Sequence, residues 1–284
     1  MNYHSQLNLI MLATVIGLAV FLYLRPAVDS IQEYNVSAHT SDVVKSIRIV
    51  RSGIEIQLKK CDDNWFLEKP VFVAADKDKV NKVLEILSAS SQQRFSRSEQ
   101  SHLGQDQLLV ELYIDDVYFG FGGLAPTTNL QYLVTDQHID LVSPRYAVFL
   151  PSSPLELART SLLAEDEIPV QFETNDWRVY QQDLVWHVQF KEPKEVSNSK
   201  ELDDWHQLWR KVHASNLAVH DQIEIDLELS ENSITIHLQD GRVIHFAFFK
   251  YDSELVLLRL GEAVSYHFPP EIGGRLLNPG AMSR

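Results

Sequence analysis

Hydrophobic and polar positions change period several times along the chain, and each period predicts an element. Residues 7–24 (LNLIMLATVIGLAVFLYL) are apolar on every side, with Asn8 and Thr14 as the polar exceptions. At about 1.5 Å per residue this run predicts a helix of roughly 27 Å, enough to cross a hydrocarbon core. Further on, Ile54-Glu55-Ile56-Gln57-Leu58-Lys59 alternates strictly, as a strand with one buried face does. Cys61-Asp62-Asp63-Asn64 reads as a turn into Trp65-Phe66-Leu67. Val80, Val83, Leu84 and Leu87 then follow helical spacing, with Asp76 placed as the N-cap. Residues 108–114, 117–121, 130–135 and 139–142 return to strand patterning, with a turn at Asp115-Asp116.

The same order recurs in the second half. Trp65 with Pro70 matches Trp186 with Pro193, and the helix opening near Lys77 matches one near Lys200. There Asn198 and Glu201 have the spacing of a cap and its third helical residue. Asp115-Asp116 matches Asp240-Gly241, residues 130–134 match 255–259, and 139–143 before Pro144 match 264–268 before Pro269. The offset rises from 121 to 125, the drift expected of a duplication with small insertions. The expected fold class is therefore α+β: an N-terminal transmembrane helix, then two repeated units, each a mainly antiparallel β-sheet with one helix on one face. The expected boundaries are a tail (1–6), an anchor (7–24), a tether (25–42), a first repeat (43–150), a linker (151–167) and a second repeat (168–284). Pro151, Pro154 and Glu165-Asp166-Glu167 mark the linker, and Trp65 and Trp186 are expected to anchor equivalent places in the two cores.

Charge and chemistry narrow the function classes. The balance of 25 cationic and 39 anionic residues, net −14, argues against nucleic acid and anionic lipid surfaces as partners. A single cysteine, Cys61, excludes an internal disulfide and a thiolate metal cluster. None of the common phosphate-loop, dinucleotide, zinc-protease, nucleophile-elbow or redox motifs occurs. Gly120-Phe121-Gly122-Gly123 follows a strand without opening a helix, so it reads as a bulge or turn. His206, His213 and His220 are seven apart, which on a helix separates rings by about 10 Å, too far for one metal ion. Glu224, Asp226 and Glu228 alternate with aliphatic residues. Their spacing of about 7 Å suits a carboxylate pair on distance alone, but equally a solvated strand face. Glu165-Asp166-Glu167 is weighed as a calcium ligand set against a solvated linker, and the linker is preferred. No catalytic, cofactor or metal residue is assigned, and no cofactor is expected.

Asn64-Trp65-Phe66-Leu67 … Pro70, followed by Ala74-Ala75-Asp76 … Val80, resembles the motif W-x-L-x-x-P … A-D-x-x-x-V of the bacterial family called domain of unknown function 4340. Leu103-Gly104, Phe119-Gly120 and Tyr132-Leu133-Val134 fall in matching order, although His102-Leu103-Gly104 departs from the family's Gly-Leu pair. The resemblance covers residues 43–150 and reaches the second half only through the internal repeat. It implies a membrane-anchored envelope protein, auxiliary to ABC-type transport or gliding motility, with no catalytic motif to carry over. A cleaved signal peptide is the alternative to an anchor, but no A-x-A-like site follows in Arg25-Pro26-Ala27-Val28-Asp29. Arg25 lies after the run and no Lys or Arg before it, so the positive-charge count runs against the chosen orientation. A short tail and the resemblance place the body in the periplasm, on a single-pass inner-membrane anchor. The expected function is a non-catalytic scaffold or accessory subunit of a transport or envelope-assembly complex, with a protein partner in the inner membrane or periplasm. The alternative is a binding module for a lipid, glycan or peptide held between the two repeats.

Overall fold

The structure, a computed structural model, describes residues 3–23, 32–97, 108–192, 199–220 and 232–279. Helix α1 (Tyr3–Tyr23) leaves Leu9, Val15, Ile16 and Phe21 exposed. Among the described residues no helix is long and apolar enough to cross a membrane, which overturns the anchor expected at 7–24. The single-pass inner-membrane placement and the periplasmic side fall with the anchor.

The first half contains β1 (Tyr34–Asn35), β2 (Ser46–Arg51), β3 (Ile54–Cys61), β4 (Asn64–Lys69), β5 (Val73–Ala74) and α2 (Lys77–Leu84). It continues with β6 (Ser90–Ser91), β7 (Arg94–Ser96), β8 (Val110–Ile114), β9 (Val117–Leu124), β10 (Gln131–Val134), β11 (His138–Val142) and α3 (Arg145–Val148). The second half has β12 (Pro169–Glu173), β13 (Trp177–Gln182), β14 (Val185–Phe190), α4 (Ser199–Lys211) and β15 (Asn216–Val219). Then come β16 (Ser233–Leu238), β17 (Val243–Lys250), β18 (Leu255–Arg259), β19 (Val264–Phe268) and α5 (Pro270–Leu277).

The expected fold class is corrected on two further counts. The described chain is mostly β-sheet in three sheets, and each half carries a second helix, α3 or α5, beyond the one expected. One large sheet runs β5-β4-β3-β2-β8-β9-β10-β11-β7, the other β14-β13-β12-β16-β17-β18-β19-β15, and β1 pairs with β6 apart from both. Without the short edge strand β5 the two large sheets have one strand order. All their pairings are antiparallel, so alternate residues of each strand fall on one face. Ile47, Ile49, Ile56, Leu58, Leu112 and Ile114 thereby point to one side of the first sheet and are buried there.

Two-residue turns close the hairpins through left-handed residues, Ser52-Gly53 before β3 and Asp183-Leu184 before β14. Asp76 caps α2, its carboxylate accepting from the amides of Asp78 at 3.0 Å and Lys79 at 3.1 Å. Val80, Val83 and Leu84 are the buried stripe of that helix. In α4 the buried stripe is Leu202, Trp205, His206 and Trp209. Leu208, on the same helix, is only half-buried.

The stretch expected as a linker binds both halves. Asp76 donates its amide to the Leu157 carbonyl at 2.8 Å, Arg159 to Ala74 at 2.8 Å, and Ala214 to Thr160 at 2.9 Å. The second half also reaches back directly, the Ala263 amide donating to Phe72 at 2.8 Å. Most buried apolar residues accordingly form one cluster from Val44 to Leu276, running through Leu157, Ala158, Leu162 and Leu163, with Ala247, Val256 and Leu258 in a small cluster of their own.

Candidate functional site

Opposite the buried face, β3, β2 and β8 present a row of polar side chains. Register sets Arg48 between Gln57 on one neighbour and Tyr113 on the other. The Arg48 guanidinium lies 3.6 Å above the centre of the Tyr113 ring, a cation–π contact that holds the fork flat. Tyr113 donates its hydroxyl to Glu111 at 2.7 Å. That bond, and then burial, raises its pKa, so the phenol stays neutral. Lys45, Lys59 and Lys60 flank the row and complete a groove of about 480 Å³.

Two carboxylates reach the groove, and both are engaged. Asp115, at the left-handed end of β8, accepts from the amides of Lys45 and Ser46 and from the Ser46 hydroxyl. Glu68 pairs with Lys59 at 3.7 Å. Lys45, Arg48 and Lys60 have no ion pair among the described residues. Four cations and two carboxylates line the groove, and Glu111 and Glu55 stand against it through Tyr113 and Gln57, so the cations are matched in number by carboxylates. The equivalent row of the second sheet is built differently: Tyr180, Gln171 and His237 stand where the first sheet has Gln57, Arg48 and Tyr113.

A second constellation sits at the join. Arg259 donates to the Leu162 carbonyl at 3.0 Å and through two nitrogens to Glu167. Arg159 lies 3.9 Å from both Glu167 and Glu262, and Tyr266 donates to Glu262. Burial pushes the Glu167 carboxyl upward, but the Arg259 hydrogen bonds and charge outweigh it and hold its pKa low. Two arginines against two glutamates balance the network, as buried charges require. It pins the former linker to β18 and β19, and Arg159 Nε is a buried nitrogen left without a hydrogen bond.

A third row has the order of a catalytic triad. Ser265 Oγ is 2.9 Å from His267 Nε2, and His267 Nδ1 is 2.9 Å from Glu254. Ser265 is only 6% exposed and its hydroxyl also reaches the Ala218 carbonyl at 3.2 Å. We read it as a tie between β15, β19 and the turn before β18.

The residues singled out in the sequence are not brought into one place. Trp65 and Trp186 are buried at 5% and 4% exposure, each the second residue of its strand. Pro70 follows β4 through a cis peptide bond, while Pro193, Asn198, Gly104 and Glu224, Asp226 and Glu228 lie outside the described residues. His206 is buried and stacks on Trp186 at 4.6 Å. No group of three metal-ligating side chains occurs among the described residues. The groove itself escaped sequence reasoning, although one signal was available. Positions 45, 48, 51, 59 and 60 are all cationic in an acidic chain. Comparison with protein-family models, curated proteins and solved structures finds no match to this chain.

Proposed function

We propose that the chain is a non-catalytic scaffold or accessory protein that docks a partner on the open face of its first sheet. One observation carries the reading. Two sheets of the same strand order differ in this row, the first having Arg48 in a groove with Lys45 and Lys60 where the second has Gln171. A fold alone needs no such asymmetry, because a solvated face is satisfied by water. The resemblance around Trp65 and Asp76 supports an accessory role in a transport or envelope-assembly complex. A ligand held between the halves has less support, since residues 157–163 and the arginine–glutamate network occupy the join.

Cys61 provides the test, being exposed, the only cysteine, and next to Lys60. A benzophenone attached there should crosslink a discrete partner in cells. Arg48→Glu and Lys45→Glu should abolish that product, and Gln171→Glu on the second sheet should not. A product indifferent to all three changes, or no product, would overturn the reading.

A further inference from the structure

We infer that the groove recognises a phosphomonoester, and this rests on the docking reading above. Arg48 has its guanidinium held against Tyr113 at 3.6 Å with no carboxylate partner among the described residues. A flat, unpaired fork matches the paired oxygens of a phosphoryl group, and Lys45 and Lys60 add point charges for its remaining oxygen. Asp115 already takes the nearby amides and the Ser46 hydroxyl, so the ligand is left the side-chain cations. A volume of about 480 Å³ also accommodates a small organic body beside the Tyr113 ring. An extended acidic segment would spread its carboxylates along a strand at about 7 Å intervals, which three clustered cations match less well.

The groove is lined by no histidine among the described residues. Any change in affinity between about pH 5 and 7.5 must then come from the ligand, whose second ionisation falls near pH 6. The probes are glycerol phosphate, a phosphoserine peptide, the same peptide with glutamate in place of phosphoserine, and succinate. Calorimetry on the full chain should show the phosphorylated probes binding tighter at pH 7.5 than at pH 5, weakening as salt rises. Arg48→Gln should weaken them by about tenfold or more. Arg48→Lys, which keeps the charge without the fork, should recover only part. Glycerol phosphate binding alone identifies a free phosphomonoester, and phosphopeptide binding alone a phosphorylated partner; either supports the inference. Equal binding of the glutamate peptide or succinate, no pH dependence, or no binding of any probe overturns it. The Cys61 crosslink and its dependence on Arg48 would survive that outcome if the docking reading is right, so the two can fail separately.

Discussion

Asp140 is fully buried on β11, and its charge is answered by Arg94 through bonds of 2.8 and 3.1 Å. The same guanidinium also donates to the Asn35 carbonyl at 2.7 Å, so one arginine ties the start of the body to the edge of the first sheet. Asp140→Ala leaves that cation without its partner and should cost about 3–5 kcal/mol in urea unfolding. Replacing both residues by leucine should cost much less than the single change. His206 is the other costly residue: burial, then the charge of Arg210, lowers its pKa to about 4. The folded value lies below the unfolded one, so the unfolded chain takes up the proton first on acidification. Stability is full above about pH 6.5 and is lost as pH falls towards 4, by about 2 kcal/mol after allowance for solvent screening. His206→Phe keeps an aromatic ring against Trp186 and should shrink the drop in unfolding midpoint between pH 7 and pH 4.5. An equal drop in both proteins would refute this account.

At the scale of elements, turns and helix seats carry the sharpest expectations. Leu184 is 87% exposed and sits at φ 64° in a turn that suits glycine. Leu184→Gly should therefore stabilise the chain, by about 1 kcal/mol, because it relieves the backbone and forfeits no packing. A lower melting temperature would contradict it. Gly273 is the opposite case. A β-carbon there would run into the side chain of Leu255, so α5 lies on β18 at glycine distance. Gly273→Ala should cost about 1–3 kcal/mol by pushing the helix off the sheet. Strand periods, the Asp76 cap and the places of Trp65 and Trp186 were legible in the sequence, because alternation and capping are local. The second helices were not, since Arg145–Val148 is a single turn and Pro270–Leu277 holds two glycines. The groove was half legible. Alternation puts Arg48 on the open face, but its meeting with Tyr113 depends on a pairing across some 65 residues.

For the whole molecule, the continuous cluster from Val44 to Leu276 predicts one unfolding transition. Four of the five tryptophans, Trp177, Trp186, Trp205 and Trp209, report on the second half, whereas far-ultraviolet dichroism reports on both. The two signals should coincide in urea, and a dichroism change preceding the fluorescence change would mean separate units. Residues 32–150 expressed alone should fail to give a cooperative transition, since Leu157, Ala158, Leu162 and Leu163 would be missing from their core.

That shared interior also bears on inheritance. Halves with one strand order, if copied from a common ancestor, were once free to be lost, exchanged or fused elsewhere. With Ala263 bonded to Phe72 and Arg159 to Ala74, that freedom is gone. A recombination break anywhere between residues 151 and 167 would strand apolar surface on both products. The gene should therefore pass between genomes whole. Within it, if the groove is the docking face, drift should be faster around Gln171 and His237 than around Arg48 and Tyr113.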